Sequence, residues 1–284
     1  MTFRTLSTFY LRRNRLAFWL PLVFLLLHQV LFLYIFRLIT GDPETATAMN
    51  TLMPDFVRDL MGMPEFDFRK PAHFLGMYYI RLEVRALILV FGVTIASNVI
   101  AGEVGRGTGD LLFSHPIRRH TAVLAGVATV ALQLCAVVLV LLAGLGLGAT
   151  VFPMGEGQPG VNELLPSMGS LALGSFATVL LCFVAGSLCN SRAQAVGWGM
   201  AIVICPIILK ALSNANPDIG YVSWIFPEHW YRPHHILWHR DLPELPGLPF
   251  RRYTLANTWW PLAIASPIAL FVAMLAADRR DLAK

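Results

Sequence analysis

Six stretches of this chain run for about twenty residues with scarcely a charge, and about that many apolar residues let a helix cross a hydrocarbon layer of roughly 30 Å. They are Leu16–Phe36, Tyr78–Ala101, Thr121–Phe152, Leu164–Cys189, Ala195–Leu212 and Tyr253–Ala277. Backbone immersed in lipid has to satisfy its own N–H and C=O groups, so runs of this length predict helices. The expected fold is an all-α polytopic membrane protein, one transmembrane domain over residues 1–284. Composition agrees, with 56% hydrophobic and 14% charged residues, where globular domains carry about 25% charged. The four cysteines, Cys135, Cys182, Cys189 and Cys205, all sit in apolar runs, which indicates neither a disulfide framework nor a clustered thiolate metal site.

The first run follows Arg4, Arg12, Arg13 and Arg15 and imitates a secretory leader. Its apolar part is too long for one and no small-residue cleavage site follows Leu38, so it is expected to remain as the first span. Ahead of it, Phe3, Leu6 and Tyr10 recur at helical spacing beside arginines, which predicts a short helix lying in the membrane interface. If both termini share one side, the segments on that side carry eleven basic residues in 45, against seven in 92 on the other. The positive-inside rule then makes both termini cytoplasmic in a multi-pass protein of the cell (inner) membrane, with Arg251 and Arg252 as the main counter-signal. The net charge of +5 thus reads as orientation, and nucleic acid is not expected as a partner.

Two external segments have their own character. Leu52, Phe56 and Leu60 repeat every four residues while Asp55 and Asp59 face elsewhere, as one short interfacial helix requires. Residues 213–252 interleave six prolines with Trp224, Trp230, Tyr231 and Trp238, a composition suited to the outer head-group layer or to a partly re-entrant turn.

Several chemistries are excluded. A phosphate loop of the form G-x-x-x-x-G-K-[ST] needs a lysine after glycine, and the lysines are Lys70, Lys210 and Lys284, so the chain is not expected to hydrolyse ATP. Gly144, Gly146 and Gly148 follow no strand; the pair Gly144 and Gly148 reads as close helix approach. No H-E-x-x-H string occurs. His229, His234, His235 and His239 crowd beside Glu228, and His235 and His239 are one helical turn apart, but Pro233 breaks the pattern and no third metal ligand is fixed. No metal site is assigned, and a structural or interfacial role is expected for this belt. Arg81, Glu83 and Arg85 enter the second span. With its inner end at Gly102, Arg85 stands about 26 Å away, near the outer boundary where arginine snorkels. His28, Gln29 and Gln133 are the polar side chains nearest the midplane, candidates for the pathway or, preferably, for hydrogen bonds between helices.

The most informative stretch joins spans two and three: AGEVGRGTGDLLFSHPIRR, from Ala101 to Arg119. An acidic residue closes the span, a glycine-rich bend follows, then an apolar patch of Leu111, Leu112 and Phe113, then Pro116 and two arginines. A bare connection needs only a few residues. This one offers an amphipathic turn suited to a partner's groove. Here the chain resembles the membrane subunits of type-2 ABC exporters, whose second span ends in an acidic Gly-Thr motif leading to leucines and a Pro-Ile-Ser-Arg turn. Glu103, Gly107, Thr108, Leu111, Leu112, Pro116, Ile117 and Arg119 fit that pattern. Gly109, Asp110 and Arg118 depart from it, and a lysine common early in span three is missing. The resemblance implies a permease that forms the translocation pathway. Its partners are two copies of a separate ABC ATPase, which holds the ATP and Mg²⁺, and a second permease copy or paralogue. It also implies a cytoplasmic coupling helix from Leu111 through Ile117, flanked by Arg118 and Arg119, and a gate region at Glu103, Gly107 and Thr108. No residue of this chain is catalytic, and no cofactor is bound by it, in that reading. The alternative is an intramembrane or membrane-surface enzyme, or a metal-handling protein, built on the external histidine segment.

Overall fold

A computed structural model describes residues 3–63, 66–80, 82–107, 118–155, 157–216, 220–238 and 255–279. Among these residues all regular structure is helical. The chain opens with α1 (Phe3–Arg13), and after Asn14 continues as α2 (Arg15–Gly41), the first span. Two short helices, α3 (Pro43–Leu52) and α4 (Asp55–Leu60), lead to α5 (Pro71–Ile80) and α6 (Leu82–Val99), which together make the second span, and a last turn, α7 (Ala101–Gly105). Then come α8 (Arg119–Val151), α9 (Val161–Leu188) and α10 (Arg192–Ala215), the third to fifth spans. Three one-turn helices, α11 (Gly220–Ser223), α12 (Pro227–Trp230) and α13 (Pro233–Leu237), precede the sixth span in α14 (Leu255–Arg279). Six helices among the described residues are thus long and apolar enough to cross a membrane, and the protein is an all-α polytopic membrane protein.

Packing explains where the small residues lie. Helix α9 is the hub, touching α6, α8, α10 and α14 as well as α12 and α13. Between lipid-soluble helices no hydrophobic drive remains, so close approach comes from small side chains. A Cβ on Gly186 of α9 would stand 2.4 Å from the Ala96 carbonyl oxygen of α6. The same logic joins α8 to α2: Gly144 lies against Gln29 and Leu26, and Gly148 against Leu33, whereas Gly146 faces open space. Apolar side chains that meet no helix point outward for lipid, among them Leu16, Leu20, Leu27 and Leu31 of α2 and Ile264, Ile268 and Phe271 of α14.

Two expectations need correction. The apolar repeat Leu52, Phe56, Leu60 does not ride on one helix, because Pro54, which cannot donate a backbone hydrogen bond, divides α3 from α4. Leu52 and Phe56 are nevertheless exposed at 74% and 66%. The second span starts at Pro71 rather than Tyr78, since the aromatic turn Phe74–Tyr78 is helical and buried beside Phe32 and Phe36. Of the two alternatives for residues 213–252, the burial of Glu228, His229, Tyr231, His234 and His235 within the bundle fits the partly re-entrant turn.

At the opposite end of the molecule α1 lies across the start of α8, burying Leu6 and Tyr10, with Ser7 Oγ donating to the Ala125 carbonyl at 3.5 Å. There Asp278, in the last turn of α14, accepts from the backbone N–H of His120 at 3.1 Å and contacts its ring Nδ1 at 2.9 Å. The last span is thereby tied to the first turn of the third.

Candidate functional site

Two charge clusters are strung on the second span. The first is at the end where α1 lies. Helix α7 carries Glu103 inward, so that its carboxylate is buried, and Oε1 accepts from Arg13 Nη1 at 2.6 Å and from Arg106 Nη2 at 2.5 Å. Charge-assisted bonds of this kind are the strong ones. Arg106 comes from the same turn, but Arg13 is the last residue of α1, ninety positions earlier. Burial, with the Glu103 carboxylate beside it, pushes the Tyr10 phenol up. The bend that follows requires Gly107, whose φ of 69° is a left-handed conformation open to glycine at little cost. Thr108, Leu111, Leu112, Phe113, Pro116 and Ile117 lie outside the described residues; Arg118 precedes α8 and is exposed, and Arg119 opens that helix, partly buried.

The second cluster corrects the reading of Arg85. With the helix running from Pro71 to Val99, Arg85 is fourteen residues from either end and only 2% exposed. It therefore lies at the middle of that helix with its guanidinium buried inside the bundle rather than reaching the surface. A charge at that depth needs a partner, and Arg85 finds one in Glu228, delivered by α12. Its guanidinium also approaches Thr178 Oγ1 of α9 at 3.5 Å and covers the Tyr231 ring at 4.0 Å. Lys210 of α10 lies 5.0 Å from the Tyr231 ring, donates to the Tyr231 carbonyl and stands 3.8 Å from Glu228 Oε1. The Tyr231 hydroxyl in turn donates to the carbonyl of Tyr79. One tyrosine and one carboxylate of the returning segment are thus held by cations from spans two and five. Burial, then Arg232 and Lys210, hold the Tyr231-flanking His229 imidazole down at about 3, and it pairs with Ser223 Oγ at 2.7 Å. His234 is pushed well below its usual value by burial and by His235.

Beside this clamp opens a cleft of about 510 Å³, walled by Met77 and Ile80 of span two, Ile207 and Lys210 of span five, and Glu228 and Tyr231. Among the described residues no three His, Cys, Asp or Glu side chains converge as metal ligands, and His239 lies outside them. His28 is stacked among Phe24, Phe32 and Tyr78. Gln29 is buried beside Gly144 and Tyr79. Gln133 is fully buried in α8, and its amide makes no hydrogen bond among the described residues.

Sequence reasoning placed Glu103 at the end of span two but missed Arg13 and Arg106 as its partners. It missed the clamp altogether. The available signal was a lone Glu228 amid aromatic residues and a lone Lys210 near the end of a span. Each is an unpaired charge in apolar surroundings, which has to be answered by another.

No curated protein is matched by the chain. The family profile described as ABC-2 family transporter protein matches residues 10–232, a stretch that includes Glu103, Arg85, Lys210 and Glu228. With six membrane-crossing helices and a match over most of its length, the chain belongs to the ABC-2 family of transporter proteins and is an ABC transporter permease.

Proposed function

We propose that the chain forms the pathway of an ATP-driven export complex, taking its power stroke from a separate ATPase that holds the ATP and Mg²⁺. The complex contains two ATPase copies and a second permease, identical or paralogous. It resides in the inner membrane with both termini and residues 102–119 cytoplasmic. The observation that carries this reading is the Glu103 cluster, which ties the end of the second span to α1 through Arg13.

Leu111, Leu112 and Phe113 dock in the ATPase, where each buried side chain is worth about 1.5 to 3 kcal/mol. Movement of that segment acts on Glu103 and so on α1 and the second span together. Eighteen residues along, about 27 Å of helix, the same span holds Arg85. Release of the far side of the pathway therefore entails separation of Arg85 from Glu228 and withdrawal of α12 and α13. No residue of this chain takes part in bond chemistry in this scheme.

The test is affinity purification of the complex in mild detergent. Phe113→Asp and Ile117→Asp are expected to lose the co-purifying ATPase or to uncouple its hydrolysis from transport. Glu103→Ala is expected to keep the assembly and alter turnover. Intact assembly with normal transport-coupled hydrolysis in both aspartate variants overturns the assignment.

A further inference from the structure

The outward face of α1 has no role in the scheme above. Leu6 and Tyr10 turn toward the bundle, and the opposite face presents Arg4, Thr5, Thr8, Phe9 and Arg12, all exposed, around an open surface hollow of about 690 Å³. Arg4, Thr8 and Arg12 follow one another at one-turn spacing, a stripe about 12 Å long. Helix α1 contains no acidic residue. The carboxylate that reaches it, Glu103, is engaged by Arg13 at the helix end. Neither Arg4 nor Arg12 has an ion-pair partner among the described residues. Thr8 donates its proton to the Arg4 carbonyl at 2.9 Å, so the charged donors of the Arg4–Thr8–Arg12 stripe are the two guanidinium groups.

The surroundings say what kind of ligand. After Asn14 the chain enters the first span, whose opening turns expose Leu16, Trp19 and Leu20. In a membrane protein those side chains face lipid, which puts α1 at head-group depth, with the exposed ring of Phe9 beside its arginines. Guanidinium groups bind phosphate oxygens in a forked geometry, and arginines at a bilayer surface favour anionic lipid.

We propose that the Arg4–Thr8–Arg12 face of α1 is a binding site for the phosphate of an anionic phospholipid. Bound there, the head group fixes α1 against the bilayer, and through Arg13 and Glu103 the anchored helix becomes a fixed point for the end of the second span. The site depends on the membrane placement of α1 and not on the ATPase.

The experiment is native mass spectrometry of the purified full-length permease, alone, from mixed micelles containing equal phosphatidylglycerol and phosphatidylcholine. The wild type is expected to retain phosphatidylglycerol preferentially. The double variant Arg4→Gln/Arg12→Gln, which leaves Leu6, Tyr10 and Arg13 in place, is expected to lose that preference by on the order of tenfold or more. Circular dichroism of the variant checks that the helices remain. Inorganic phosphate at the same concentration is expected not to compete; full competition would assign the site to free phosphate and overturn the lipid reading. Equal retention of the two lipids by the wild type, or unchanged preference in the variant, also overturns it.

Discussion

At the scale of single residues the structure turns on two carboxylates, Glu103 and Glu228, each shared by two cations. Removing one member of a buried pair leaves an uncompensated charge, which typically costs about 3 to 5 kcal/mol, whereas replacing both by neutral groups costs far less. Arg85→Gln and Glu228→Gln are therefore each expected to lower thermal stability in detergent by that order, and the double variant to recover much of the loss. Additive losses in the double-mutant cycle would show that the two do not act as a pair. At the other cluster, Arg13→Ala is expected to reproduce the altered turnover of Glu103→Ala, with little further change on combining them. His229 supplies a pH dependence. Its folded imidazole titrates near 3 and an unperturbed one near 6.5, so the unfolded chain binds the extra proton between those values. The stabilisation is complete above pH 6.5 and falls away as pH drops toward 3. Protease susceptibility of residues 220–238, followed from pH 7 to pH 4, should rise in the wild type and rise less in His229→Phe, the remainder coming from His234.

At the scale of elements, helix ends and helix contacts follow different rules. Ends follow local backbone chemistry: Asp42 caps α3 by accepting from the N–H groups of Glu44 and Thr45, Pro54 starts α4, and Gly107 lets the chain leave α7 in a left-handed turn. Contacts follow the size of residues on facing surfaces. Gly186→Ala sets a methyl against the backbone of α6, which cannot yield as a side-chain tip can, and is expected to destabilise by about 1 to 3 kcal/mol. Gly146→Ala, with nothing within 4 Å, is expected to be neutral or to stabilise by up to about 1 kcal/mol. Paired thermal melts distinguish them, and equal effects would mean that the α6–α9 approach is not limiting. The earlier start of the second span has the same origin. Pro71 through Ile80 has apolar and aromatic content on all sides, with no stripe to mark its start, and only packing against α2 and α13 shows it to be part of the span.

For the whole molecule, the two clusters mark opposite stations of one helix, the first at its end beside α1 and the second at mid-span. The proposed orientation puts the Glu103 end in the cytoplasm. Cysteine substitutions in a background lacking the four native cysteines should then label with a membrane-impermeant reagent in intact cells at Thr45 and not at Ser114. The reverse pattern would invert the molecule and put the coupling role of residues 108–117 out of reach of any ATPase. The histidine segment bears on the whole as well. Its described histidines, His229, His234 and His235, are buried where α12 and α13 pack against spans two, four and five.

By itself the sequence determined the membrane class, the six spans, the short helix ahead of the first span and the position of Glu103 at the end of the second. Each of these is written in consecutive residues: apolar length decides whether a helix crosses lipid, and helical spacing decides which face is apolar. The tertiary structure alone decided which charges meet. Arg85 and Glu228 are 143 positions apart, and Arg13 and Glu103 are ninety apart. No periodicity along a chain records which faces of two helices will touch. The depth of Arg85 was misjudged for a related reason, since the start of a fully buried helix is set by its neighbours. What converted an isolated arginine into a clamp was the return of residues 220–238 into the bundle, where burial leaves a charge no answer but another charge.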